Sequence, residues 1–152
     1  MSNNYKSSSW EQQQAEDVIF KQVEQLLNVK LEPNCKIYLS DNAFTYMQPD
    51  FYSETECIVG EIFAHIGNPK KAQDNKIAND ILKMLLLENV KKKTYRKILV
   101  VCDEAELKKL TGMSVLSESI RQFGIEVMYV KIDDTLRNQL LSAQARQKMV
   151  NS

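Results

Sequence analysis

Apolar residues recur along the chain with two alternating periods. In residues 9–28, Ala15, Val18, Ile19, Val23, Leu26 and Leu27 follow the i, i+3, i+4, i+7 spacing of an amphipathic helix. Ser9 and Gln12 match a capping box at its start, and Pro33 enforces a break after it. Residues 35–40 (CKIYLS) and 43–47 (AFTYM) alternate with period two and read as strands, separated by the turn pair Asp41-Asn42. A third strand is expected over residues 57–66 (CIVGEIFAHI), after a turn at Glu54-Thr55-Glu56. Three strands so close in sequence predict an antiparallel meander.

The second half changes rhythm. Asn68-Pro69 opens a helix over residues 71–89, with Ile77, Ile81, Met84, Leu85 and Glu88 on one stripe and Leu82, Leu86 and Leu87 widening it. A helix so broadly apolar is expected to be well buried. Residues 96–102 (RKILVVC) form a continuous apolar run, the mark of a central strand. Short helices follow at 104–110 and 115–123, with Gly124 as a stop. A last strand spans 125–132, and a C-terminal helix starts at Thr135. The order α-β-β-β-α-β-α-β-α predicts a three-layer α/β/α fold with a mixed sheet, a meander followed by β-α-β crossovers. Residues 1–8 are polar and read as a flexible terminus, leaving residues 9–150 as one α/β domain.

Composition narrows the function classes. The chain has 152 residues, 20 basic and 20 acidic, so its formal net charge is zero. That balance excludes a uniformly cationic nucleic-acid binder. No apolar run approaches the ~20 residues of a membrane span, and the first ten residues lack the apolar core of a signal peptide, so a cytoplasmic protein with no membrane partner is expected. Cys35, Cys57 and Cys102 are an odd set without a CxxC, and His65 is the only histidine. They support buried free thiols rather than a zinc site. No Gly-rich phosphate loop and no nucleophile elbow occur. Asp103-Glu104, after the central strand, read as helix capping.

Chemistry concentrates in residues 48–81. Asp50 follows Pro49 at the end of a predicted strand. Strand alternation puts Glu61, Phe63 and His65 on one face. A carboxylate inside an apolar strand is costly unless paired or bound to a cation. Two carboxylates converging from neighbouring strands can hold a hard ion such as Mg²⁺ or Mn²⁺, which can polarise a phosphodiester and generate hydroxide.

The element order, with Pro49-Asp50 and then Glu61 about ten residues on, resembles the PD-(D/E)XK nuclease superfamily, whose fold is restriction-endonuclease-like. The likeness covers roughly residues 10–132 as topology, and 49–73 as motif. It implies a metal-dependent nuclease acting on DNA, with Asp50 and Glu61 as metal ligands and catalytic residues. The motif lysine two residues after the Glu is missing; Phe63 stands there. Some members of that superfamily place the lysine on the following helix instead, where this chain has Lys70, Lys71 and Lys76, with Lys76 the preferred substitute. Gln73 occupies the position of a helix glutamine in exonuclease-type relatives. His65 could serve as base or ligand instead, and Glu16 or Glu24 of the first helix could approach the site. The missing lysine equally motivates an alternative, a catalytically degraded nuclease fold acting as a binding or assembly module. So small a domain leaves little room for a separate base-reading module, so work as a homodimer or within a larger system is part of the reading. Charge distribution supplies a surface for DNA. Residues 67–97 hold nine basic and three acidic side chains, a net +6, and Lys70, Lys71, Lys91, Lys92 and Lys93 are the candidate phosphate contacts.

Overall fold

The computed structural model describes residues 2–150, with side chains described for residues 10–149. Twelve elements follow in the order α1 (Ser2–Leu27), β1 (Glu32–Pro33), β2 (Ile37–Tyr38), β3 (Tyr46–Met47), β4 (Phe51–Ser53), β5 (Ile58–Phe63), α2 (Lys71–Lys91), β6 (Arg96–Val101), α3 (Glu104–Leu110), α4 (Val115–Gln122), β7 (Ile125–Tyr129) and α5 (Asp134–Val150). Five strands form a mixed sheet in the order β1-β4-β5-β6-β7. The β1–β4 and β4–β5 pairs are antiparallel, while β5–β6 and β6–β7 are parallel.

Helices cover both faces of the sheet, as the alternation of β5 requires. Ile58, Ile62 and Ala64 join Ile98, Val100 and Cys102 in a core closed by Ala15, Ile19 and Val23 of α1 and Leu136 and Leu140 of α5. Val59 and Phe63 face the other way, with Leu99 and Val101, into a core closed by Ile77, Ile81, Met84 and Leu87 of α2, Leu110 of α3 and Ile120 of α4. The fold is therefore mixed α/β and compatible with three α/β/α layers. No helix among the described residues is long and apolar enough to cross a membrane.

The expected meander is corrected. The predicted strands at 35–40 and 43–47 shrink to β2 and β3, which pair only with each other as a separate ribbon. Each presents one buried residue, Ile37 or Met47, which is little to anchor in a sheet. Their place beside β5 is taken by β4, whose three residues are all buried. The tip of the Phe51 ring sits over Gly60: a Cβ at that position would stand 1.9 Å from the ring's Cζ. Glycine is thus a packing requirement at 60, and it brings β4 into contact with β5. β1 contains Pro33, tolerated because the strand is at the sheet edge.

Other expectations shift in detail. Helix α1 is helical from Ser2, so Ser9-Gln12 is not its cap; Gln12 Nε2 instead donates to the Ala64 carbonyl at 3.1 Å. Helix α2 is less buried than its sequence predicts, since Leu82 and Leu86 are 64% and 40% exposed and Val90 is also exposed. Asp103 precedes α3 without capping it through its side chain. It accepts from the Gly67 N–H at 2.9 Å and pairs with Arg137 at 2.7 Å, which ties the loop after β5 to α5. The three thiols are free; Cys102 is buried, Cys35 and Cys57 partly so.

Candidate functional site

Register brings the two predicted carboxylates together. Phe51 pairs with Gly60 in the antiparallel β4–β5 ladder, so Asp50, one residue earlier, lies opposite Glu61, one residue later. Directly opposed residues of an antiparallel pair share a face. Asp50 therefore leads into β4 rather than ending β3, as the sequence had suggested. Its Oδ2 accepts from the Ile62 backbone N–H at 2.7 Å, taking a hydrogen bond that a longer β4 would otherwise supply. This bond fixes the carboxylate against β5.

Glu61 stands opposite Asp50. Its carboxyl faces Asp50 across the ladder, close enough for the Asp50 charge to act on it. Burial, then the charges of Asp50 and Asp80, push Glu61 well above the ordinary carboxylate range. Two neighbouring carboxyls share a proton more readily than both ionise.

Two further acids complete the cluster. Asp80 of α2 is 7% exposed; burial raises its pKa, as does Asp50, while Lys76 and Lys83 oppose the shift. Glu16 of α1 is raised by burial and then by Asp50, with its Gln12 hydrogen bond and Lys76 opposing. Asp80 was not singled out from the sequence. Its signal was present: it sits on the buried stripe with Ile77, Ile81 and Met84, where an acid is out of place. Of the first-helix acids, Glu16 arrives and Glu24 does not. Glu24 instead accepts from the Leu31 N–H at 2.8 Å, holding the chain after α1.

Lys76 approaches the same place from α2. Its ammonium stands 5.8 Å from the centre of the Phe63 ring and lowers the pKa of both Glu16 and Asp80. A cation thus lies over the side chain that occupies the motif-lysine position. Asp50 and Glu16 border a small cavity of about 200 Å³ between α1 and the β1–β4 edge, also lined by Phe20, Pro33 and Ile62.

The remaining predicted residues lie elsewhere. His65 follows β5 and faces Asp103 and Lys70 rather than the carboxylate pair; burial lowers its pKa, Asp103 opposing and Lys70 adding. Gln73 closes the start of α2, its Oε1 accepting from the Lys70 backbone N–H. Lys71, the first residue of α2, is exposed. Lys91, Lys92 and Lys93 sit at the other end of that helix, about 24 Å from Lys76 at 1.5 Å per residue. Lys92 adopts the left-handed cap conformation (φ 56°). Lys93 is paired with Glu54 and stands 5.1 Å from the Tyr95 ring centre, so its charge is already partnered.

As a donor set, Asp50 and Glu61 offer hard oxygen atoms. Among the described residues no group of three or more His, Cys, Asp and Glu side chains is arranged to hold a metal ion. Two carboxylates suit Mg²⁺, which keeps several waters and takes other ligands from substrate phosphate. No family model, curated protein or solved structure matches the chain in comparisons with known proteins.

Proposed function

We propose that the chain is a metal-dependent phosphodiesterase acting on DNA, with Asp50 and Glu61 holding Mg²⁺ or Mn²⁺. The observation that supports it best is the register that sets these two carboxylates opposite each other across the β4–β5 ladder, with Asp50 held by the Ile62 N–H. Such a pair repels itself when both members ionise, and a divalent cation relieves that repulsion. When bound, the ion supplies Lewis acidity and a water more easily deprotonated than bulk water. The chain's own residues then have defined tasks. The Ile62 N–H orients Asp50, Asp80 adds negative charge beside Glu61, and Lys76 offers an ammonium to a phosphate oxygen. Lys71, Lys91 and Lys92 provide further contacts to the strand, and they make binding salt-sensitive.

The test is cleavage of single- and double-stranded DNA with Mn²⁺. Activity in the wild type that is lost in Glu61→Ala supports the proposal. Activity surviving that substitution removes the pair from the chemistry. The alternative, a degraded nuclease fold that binds or assembles, draws on Phe63 at the lysine position. It predicts Mn²⁺ binding at Asp50 and Glu61 without cleavage of either substrate.

A further inference from the structure

Beyond β5 the chain crosses a cleft that the carboxylate cluster does not use. Gln144 of α5 grips the backbone of Ile66 from both sides: its Oε1 accepts from the Ile66 N–H at 2.9 Å and its Nε2 donates to the Ile66 carbonyl at 3.0 Å. This clamp holds His65 between the start of α2 and the end of α5. The cleft there encloses about 740 Å³, and its lining includes His65, Asn68, Lys70, Gln73, Gln147 and Lys148 but no Asp or Glu. That volume is in the range of small-molecule sites. It opens at His65, two residues past the end of β5 and no more than about 13 Å along the chain from Glu61.

His65 Nδ1 is buried and has no hydrogen-bond partner among the described residues. Buried polar atoms are nearly always paired, and the imidazole itself is only half-buried on the cleft wall, so a ligand that turns the ring can supply the missing partner. Lys70 and Lys148 have no ion-pair partner among the described residues. The charged groups facing the imidazole are Lys70 from the start of α2 and Asp103 from the loop after β6, with Lys148 of α5 on the cleft wall. Asp103 is itself paired with Arg137.

We propose that this cleft binds a phosphate monoester, with Lys70, Lys148 and His65 as its ligands. Two ammonium groups and an imidazole match a group carrying close to two negative charges at neutral pH better than a singly charged diester. The amides of Asn68 and Gln147 can donate to its remaining oxygens. The cleft takes the phosphate whether or not Asp50 and Glu61 cleave. That the phosphate terminates a nucleic-acid strand rests on the reading above.

His65 is the only histidine in the chain, so its ring nitrogens give an unambiguous NMR signal. The full chain is titrated without divalent metal, with inorganic phosphate, with a short single-stranded oligonucleotide bearing a terminal phosphate, and with the same oligonucleotide lacking it. Inorganic phosphate or the phosphorylated strand is expected to raise the His65 pKa by about one unit. Lys70→Gln with Lys148→Gln is expected to weaken that binding roughly tenfold. A response to phosphate alone makes the free ion the ligand, and a response restricted to the phosphorylated strand makes the strand its source; both support the site. No response to any titrant, an equal response to both oligonucleotides, or unchanged affinity in the double variant overturns it. A His65 response without Mn²⁺-dependent cleavage leaves this site standing and removes the nuclease reading; cleavage without a response does the reverse.

Discussion

Glu106 offers the most direct test of the electrostatics, because it is a fully buried acid outside the proposed site. It is 0% exposed, and neither carboxyl oxygen has a hydrogen-bond partner among the described residues. Burial raises its pKa from 4.5 to about 7, with Lys109 opposing and Asp74 and Asp103 adding. The folded chain therefore keeps this proton over a pH range where the unfolded chain has lost it. Between pH 4.5 and about 7, stability should fall by about 1.4 kcal/mol per pH unit from this group, about 3 kcal/mol in all. Below that window the contribution is fully present, and above it the loss is complete. Glu106→Gln keeps the shape and removes the titration. Urea unfolding across pH 4.5–8, read as variant minus wild type, should rise through the window and level off. The difference cancels the other acids, including Glu61, Asp80 and Glu16, whose raised pKa values push the same way. An amide that lacks partners adds a constant penalty, so the slope carries the test and the intercept does not. Parallel stability curves for the two proteins would refute the reasoning.

Four further outcomes follow from the same geometry. Glu61→Gln should abolish Mn²⁺-dependent cleavage while raising the melting temperature at pH 7, because it removes a half-buried acid whose pKa is raised by desolvation and by the charges of Asp50 and Asp80; a lower melting temperature would contradict that account. Gly60→Ala drives a methyl group into the Phe51 ring, which is 0% exposed and cannot step aside; a loss of about 2 kcal/mol in denaturant unfolding is expected, with reduced cleavage because Asp50 moves with β4. Leu82→Gln should change stability by less than about 0.5 kcal/mol despite its place in a leucine-rich run, since the side chain is 64% exposed. Lys91→Gln with Lys92→Gln should lower the salt dependence of DNA binding by one to two units of slope, and an unchanged slope would move the phosphate contacts to the α2 start.

Where periodicity ran over many residues, the sequence predicted the structure closely. The α2, α3 and α4 segments and the central strand β6 lie within two residues of their expected ends, because each carries a long or capped apolar pattern. The sheet edge did not follow. β1 and β4 hold two and three residues, too few for alternation to register, and β4 was hidden between a Pro-Asp turn and an acidic turn. The pairing of Asp50 with Glu61 was legible because both flank apolar strand residues. The pairing of Glu61 with Asp80 was not, since it depends on how α2 rotates over the sheet. That rotation also explains the leucines: Ile77, Asp80, Ile81, Met84 and Leu87 are buried, so Leu82 and Leu86 must point outward. His65 shares a strand face with Glu61 in sequence, yet the strand ends at Phe63 and the clamp from Gln144 carries the imidazole into a different cleft.

The acidic cluster works against the fold that contains it. Glu16, Glu61 and Asp80 all have pKa values raised chiefly by burial, so each keeps its proton to higher pH in the fold than in the unfolded chain. Among the basic groups only Lys76 bears on both Glu16 and Asp80, and Lys76 is itself exposed and screened by water. The arrangement persists because its parts are anchored by groups that do not titrate. Phe51 seats on Gly60, Ile62 donates to Asp50, and α2 is pinned by Ile77, Ile81 and Met84. Removing the acids one at a time should therefore stabilise the chain, whereas removing an anchor should destabilise it. A divalent cation would reverse the first of these signs: with Mn²⁺ bound, Glu61→Gln should lose the ligand-linked stabilisation that the wild type gains. Thermal unfolding of both proteins with and without Mn²⁺ reads this crossing directly. If Mn²⁺ stabilises the two equally, Glu61 does not hold the ion, and Asp50 and Glu61 are a half-buried pair of neighbouring acids without a metal.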